Sequence, residues 1–190
     1  KSANFFNQLY LNENHKNILE IGCGNGEFLN EINFNKKYNC FGYDPSLDTK
    51  FTSDSFNVVR DYFLPNKNNK LFDVIIIRHV LEHLISPFDF LNSIIQNQVE
   101  NDNEEILFFL EVPNVKNTLV QSRFNDLVYE HVSYFSIETL SFLMKSLNIK
   151  ILQITEVFDE ENIQLIGKFS TKNEKSYKVN VDLFKNNVIK

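Results

Sequence analysis

Ile18-Leu19-Glu20-Ile21-Gly22-Cys23-Gly24-Asn25-Gly26-Glu27-Phe28-Leu29 reads as a strand that runs through a glycine-rich turn into a helix. Three of the chain's five glycines fall in this stretch. Glycine accepts the positive φ of a tight strand-to-helix turn, and its missing Cβ lets a ligand come close to the backbone. Phe28, Leu29 and Ile32 supply the apolar face that packs the following helix on a sheet. A dinucleotide fingerprint, G-x-G-x-x-G, would need glycine at position 27. Glu27 stands there, and the third glycine comes one residue early at Gly26. That spacing argues against a nicotinamide oxidoreductase.

Outward from this turn, strand-like and helix-like patterns alternate, the signature of parallel βαβ units. Strands are predicted at Asn17 to Ile21, Asn39 to Tyr43, Asn57 to Arg60, Leu71 to Ile77 and Glu105 to Glu111. The last two are nearly continuous apolar runs, as expected for a parallel sheet with helices on both faces. Ser86-Pro87-Phe88-Asp89 reads as a helix start, with Ser86 as N-cap, Pro87 at the first helical position and Asp89 near the positive dipole end. Ile137, Leu140, Leu143, Met144 and Leu147 mark a second helix over Ser136 to Asn148. Ile149 to Thr155 and Ile163 to Phe169 read as a closing hairpin at the sheet edge. The expected fold is α/β: a doubly wound, mostly parallel, Rossmann-like sheet of about seven strands with a terminal antiparallel hairpin. Residues 1–190 are read as one domain, with a polar, Lys- and Asn-rich stretch beyond Thr171.

The net charge of -6 and the scattered lysines exclude a polyanion-binding surface, so nucleic acid is not an expected partner. No apolar run is long enough to span a bilayer, and no signal-peptide pattern opens the chain, so a cytoplasmic location is expected. Cys23 and Cys40 lack CxxC spacing and support neither a zinc site nor a disulfide.

The run from Glu20 to Gly26 resembles the first motif of the class I S-adenosylmethionine-dependent methyltransferases: hydrophobic strand, acidic residue, then G-x-G-x-G. The resemblance extends over roughly Asn17 to Phe169. It implies S-adenosylmethionine as cofactor, with Glu20, Gly22, Cys23, Gly24, Asn25, Gly26 and Phe28 around its amino-acid end. Asp44, twenty residues beyond Gly24 and followed by Pro45, takes the place of the acid that accepts both ribose hydroxyls. Asp61 and Tyr62 match the place of an acid near the adenine amino group and a ring cover, a role Phe63 also fits. Phe72 to Leu84 looks like the family's fourth strand followed by a V-L-E-H-L turn, which implies Arg78, His79 and Val80 against the methionine portion. His79, Glu82 and His83 also have a spacing that fits a metal site. The preferred reading is a helix-end hydrogen-bonding pair for Glu82 and His83, and no metal is assigned.

Methyl transfer is an in-line displacement at an already activated carbon, so the protein mainly aligns the acceptor and excludes water. A neutral hydroxyl acceptor also needs a base, and histidine has the best matched pKa. Tyr129-Glu130-His131-Val132-Ser133-Tyr134-Phe135-Ser136 resembles the E-H-x-S-Y-F-S signature of sugar methyltransferases, especially the C-methyltransferases of nucleotide-linked deoxysugars. The resemblance implies His131 as general base, Glu130 as its orienting partner or a substrate ligand, and Tyr129 and Tyr134 as acceptor contacts. Asn114, in Glu111-Val112-Pro113-Asn114, and His83 are further substrate-side candidates.

Two departures shape the expectation. Tyr129 stands where those C-methyltransferases carry a first histidine, and their cysteine-rich zinc region has no counterpart in these residues. The sequence therefore favours O-methylation of a sugar or sugar-derived surface-glycan precursor. The alternatives are a C-methyltransferase of a nucleotide-linked keto sugar, a small-molecule or quinone-type O-methyltransferase, and a non-catalytic nucleotide-binding module. A homodimer is left open.

Overall fold

The structure is a computed structural model that describes residues 2–48, 50–123 and 128–172. The stretch beyond 172, included in the single-domain reading, lies outside the described residues.

Seven strands form one sheet: β1 (Asn17–Ile21), β2 (Asn39–Tyr43), β3 (Asn57–Val59), β4 (Val74–Arg78), β5 (Glu105–Pro113), β6 (Lys150–Val157) and β7 (Asn162–Ser170). Their spatial order is β3-β2-β1-β4-β5-β7-β6. The first five pair in parallel, while β7 runs antiparallel to both β5 and β6. This is the doubly wound sheet with a closing hairpin that the alternating pattern predicts. The chain moves outward from β1 to β3, then returns to lay β4 on the other side of β1. The crevice at the carboxyl ends of β1 and β4 is therefore the topological switch point where such folds hold ligands.

Alternation along the strands divides the core between two faces. Leu19, Ile21, Ile75, Ile77, Phe108 and Leu110 face α3 (Pro87–Glu100) and α5 (Ile137–Ser146). Ile18, Val74, Ile76, Leu107 and Phe109 face α1 (Ser2–Tyr10) and α2 (Glu27–Ile32). Fully burying one such side chain is worth about 1.5–3 kcal/mol, so the two layers dominate stability. The helix α1, not foreseen from the sequence, closes the second face: Phe6 and Phe28 both pack on Phe109, at 4.9 and 5.1 Å between ring centroids.

The predicted Ser86 cap holds, and α5 is capped as well. Ser86 Oγ accepts from the Asp89 amide, and Ser136 and Thr139 form a reciprocal capping box at α5. The fourth strand starts later than its apolar run, at Val74. Buried Gln98 explains this: its Oε1 accepts from the Phe72 amide at 2.7 Å and its Nε2 donates to the Lys70 carbonyl at 2.9 Å, so that backbone bonds to a helix side chain. A short helix α4 (Val115–Val120), capped by Asn114, follows β5. No helix among the described residues is long and apolar enough to cross a membrane.

Gly26 holds φ +69°, and a Cβ there would lie 2.0 Å from Cζ of buried Phe56. Gly26→Ala should cost about 2 kcal/mol, from left-handed strain plus overpacking. A urea midpoint lowered at constant slope would show it; an unchanged midpoint would mean that the turn relaxes freely.

Candidate active site

The glycine turn is tied to the neighbouring strand and to Asp44. The amides of Gly22 and Cys23 donate to the Tyr43 carbonyl at 2.8 and 3.3 Å, and the Gly24 amide donates to Asp44 Oδ2 at 2.8 Å. Asp44 Oδ1 accepts from the Ser46 amide at 2.8 Å and its hydroxyl at 2.6 Å. Burial opposes ionisation of Asp44, but these Ser46 and Gly24 donors outweigh it and lower its pKa. Gly24, at φ +49°, has nothing within 4 Å of where a Cβ would stand, so this point of the turn faces open space. Gly22 differs: a Cβ there would lie 2.3 Å from Val80 Cγ2, so the segment after β4 is packed directly on the turn.

A buried charge cluster fills the carboxyl edge beneath it. Glu20, 1% exposed, has Oε1 3.7 Å from Arg78 Nη1, while its Oε2 has no hydrogen-bond partner. Arg78 donates from Nη2 to Glu111 Oε1 at 3.1 Å, lies 4.4 Å from the Phe28 ring centroid, and leaves Nε buried without a partner. His79 bonds through Nε2 to Glu111 Oε1 at 3.0 Å and has Nδ1 3.5 Å from Glu82 Oε1. Gln164 Nε2 donates to Glu111 Oε2 at 2.5 Å. Burial pushes Glu20 up to about 8, against the pull of Arg78. The hydrogen bonds to Glu111 and Glu82 raise His79 to about 9. Glu111 is held at about 2 because the His79, Gln164 and Arg78 contacts outweigh its burial. His79 adopts φ +52°, a left-handed geometry that costs a non-glycine residue of order 1 kcal/mol and is characteristic of functional sites.

These shifts set a pH dependence. Between the ordinary 6.5 and about 9 the folded chain holds a His79 proton that the unfolded chain has released, so this contribution is full below 6.5 and is lost as pH rises through 9. Glu20 acts in the same direction between 4.5 and about 8. Glu111 acts oppositely: its contribution is present above 4.5 and lost as pH falls toward 2. The urea midpoint should therefore drop between pH 6.5 and 9, and His79→Gln should flatten part of that drop. Equal slopes for both proteins would remove His79 from the linkage.

Beyond β4, Leu81–His83 form one 3-10 turn. Both the Val132 and Ser133 amides donate to the Glu82 carbonyl, at 2.9 and 3.0 Å, and Ser133 Oγ donates to the Leu84 carbonyl at 2.7 Å. This pins the His131 segment over the turn. A cavity of about 300 Å³ opens there, lined among others by Glu82, Asn114, Thr118, His131, Ser133 and Tyr134. His131 meets His83 edge-to-face at 4.9 Å between centroids and Tyr134 at 6.4 Å.

The sequence-derived candidates are thus sorted by position. Gly24, Asp44, Arg78, His79 and Val80 gather at the crevice, and His131, Tyr134 and Asn114 at the cavity. Asn114 is nearly fully buried there, its Nδ2 donating to Glu156 Oε1 and the Glu160 carbonyl, both at 3.0 Å. Tyr129 is 99% exposed and Glu130 is exposed, so neither side chain is brought into the cavity lining. Glu82 and His83 do not pair with each other: Glu82 turns to His79, and His83 Nδ1 bonds the Glu130 carbonyl at 2.9 Å. Cys23 and Phe28 are buried, and burial pushes the Cys23 thiol up to about 12. Among the described residues Asp61 accepts only from the Tyr62 amide, at 2.8 Å, and Tyr62 stands exposed. Phe63 is not available to cover a ring, because it is buried against Tyr43 and Phe72. Glu111, the hub of the charge cluster, and Ser133 were not anticipated. A lone glutamate inside the apolar run Ile106 to Val112 was the available signal for the first.

Residues 3–154 match the family model described as "Methyltransferase domain". No curated protein sequence matches the chain. Among solved structures, it is similar to a SAM-dependent methyltransferase from Archaeoglobus fulgidus, with 19% identity, 88% of this chain and 92% of that one covered, and a TM-score of 0.60. The plantazolicin methyltransferase BpumL, solved in complex with a triazolic desmethylPZN analog and S-adenosylhomocysteine, is 14% identical over 89% and 83% of the chains, at TM-score 0.66. The Burkholderia thailandensis 1,6-didemethyltoxoflavin-N1-methyltransferase is 10% identical over 90% and 77%, at TM-score 0.64. At these identities the likeness speaks for the fold, while the family model covers most of the chain: this protein belongs to the methyltransferase domain family.

Proposed function

We propose that this chain is an S-adenosylmethionine-dependent O-methyltransferase whose acceptor is a hydroxyl of a sugar or sugar-derived precursor. The cofactor supplies a methyl group activated on a sulfonium centre. The residues fit it: Gly24 leaves open space in the turn, Asp44 is held ionised beside it, and Glu20 Oε2 and Arg78 Nε are buried polar atoms without partners. Asp44 would hold the ribose and the Arg78–His79–Val80 segment the amino-acid end. BpumL and the didemethyltoxoflavin enzyme, solved with S-adenosylhomocysteine, agree with this choice.

The observation that carries the acceptor reading is the cavity beside the crevice, with polar side chains set into a partly apolar wall. Val80 packs on the glycine turn and Glu82, two residues on, lines the cavity. Its wall mixes hydroxyl, amide, imidazole and charged side chains with apolar surface to which Pro113, Val115 and Val128 contribute, and Tyr134 is the lone Phe, Tyr or Trp among the described lining residues. Such a lining suits a small polyhydroxy acceptor better than a flat quinone. His131 is the group that takes the acceptor's proton, and Ser133 and Tyr134 orient the ring. Incubation with labelled cofactor and a panel of sugar nucleotides should label a sugar oxygen. Transfer only to a non-sugar acceptor would defeat the sugar assignment, and no uptake of cofactor by folded protein would defeat the whole reading.

A further inference from the structure

We infer that Glu82, His83 and His131 form a binding site for a divalent cation of zinc or manganese type in the wall of the acceptor cavity. One ligand atom from each residue lies within 4.8 Å of the other two. Three further observations point to an ion. Glu82 is 2% exposed, yet its Oε2 has no hydrogen-bond partner, which is costly for a buried carboxylate oxygen unless something positive completes it. His83 has its tautomer fixed, because a carbonyl can only accept: Nδ1 carries the proton given to the Glu130 carbonyl, which leaves Nε2 with the free lone pair. An outer partner of this kind is how metal-binding imidazoles are oriented. Finally, the Glu82 carbonyl is held by the amides of Val132 and Ser133, so the two segments that carry the donors are fixed to each other.

Two imidazoles and one carboxylate are a donor set for divalent zinc and its first-row neighbours, with bonds near 2.0–2.2 Å. Donors around such an ion stand roughly 3–4 Å apart, so the cluster must contract by about an ångström. Exposed His83 has room to turn, whereas Glu82 and the pinned His131 segment set the position. Glu82 and His131 both line the cavity, so a coordination position left open would face the acceptor. The inference rests on the reading of this cavity as the acceptor site and alters one role in it. With the ion seated, His131 would serve as its ligand and not as the free base; the cation would lower the pKa of the acceptor hydroxyl, whose proton would then pass to solvent water.

Isothermal titration of the chelator-treated, refolding-free protein with ZnCl2, and separately with MnCl2, tests the site. Expected is one ion per chain for at least one metal. His83→Ala, a change at an exposed position, should weaken that binding roughly tenfold or more, and Glu82→Gln likewise. Binding of S-adenosylhomocysteine should stay within about twofold in His83→Ala, as a check of the fold, whereas Glu82→Gln, which also loosens His79, is read on ion uptake alone. No uptake of either ion by protein that still binds S-adenosylhomocysteine overturns the inference. Uptake that His83→Ala leaves unchanged overturns it too. Failure of the sugar reading would register separately, as absent transfer in the acceptor panel with ion uptake intact.

Discussion

His131→Ala is expected to lower turnover by roughly a hundredfold or more while leaving the affinity for S-adenosylhomocysteine nearly unchanged. The separation follows from where the ring sits. It lines the acceptor cavity and touches the His83 and Tyr134 rings, and none of its described contacts is to the glycine turn or to Asp44. Its segment is held by backbone, through the His131 amide to the Val128 carbonyl at 3.1 Å and the Val132 and Ser133 amides to Glu82. Truncating the ring therefore leaves those anchors in place, and the ring is only partly buried, so little packing is lost. What disappears is the imidazole that serves the acceptor hydroxyl, as its base or, with a cation seated, as the cation's ligand. The loss should fall on kcat more than on KM, because the group matters most as the proton leaves. If kcat survives the substitution, alignment of donor and acceptor carries the reaction and His131 is merely part of the wall.

How much of this was legible beforehand depends on whether the signal is local. The strand–turn–helix at Ile18 to Leu29 is written in neighbouring residues: an apolar run, glycines where φ must be positive, and Phe28, Leu29 and Ile32 at helical spacing. The Ser86 cap is local too, and it is found. The hairpin partners of the fifth strand follow from alternation, although their order in the sheet, with β7 beside β5, does not. What the chain concealed is non-local. Glu111 becomes a hub only because parallel pairing puts Arg78 opposite it and antiparallel pairing puts Gln164 opposite it from the other side. The late start of β4 needs Gln98, far along α3, to reach the Phe72 amide. The pairing of His83 with the Glu130 carbonyl spans forty-seven residues, while the sequence offered Glu82 as the obvious neighbour. Proximity in the chain suggested that pair; the tight 3-10 turn sends the two side chains to different partners.

Asp44→Ala should weaken S-adenosylhomocysteine binding by roughly a hundredfold or more, the other large effect. Asp44 Oδ2 accepts from the Gly24 amide and Oδ1 from both the Ser46 amide and the Ser46 hydroxyl, so one of the carboxylate's four lone pairs is free for a ribose hydroxyl, and the second hydroxyl takes the place of the Ser46 hydroxyl, which can rotate away. The donors that lower its pKa keep it charged at neutral pH, and hydrogen bonds to a charged acceptor are worth about 1.5–3 kcal/mol each. Two of them amount to about 3 kcal/mol or more, which is the hundredfold. The same substitution leaves the Gly24 amide without its acceptor, so the turn loses order that the ligand must then restore. Asp44→Asn separates the two contributions. Its single amide oxygen can keep the Gly24 bond but lacks the charge, so its affinity should fall between wild type and alanine. Stability should change far less than affinity, because the glycine turn is also tied to the Tyr43 carbonyl through Gly22 and Cys23. An affinity within twofold of wild type for Asp44→Ala would mean that the open face at Gly24 and the Arg78 segment hold the ligand without help from this acid, and that its hydrogen bonds serve only to shape the turn.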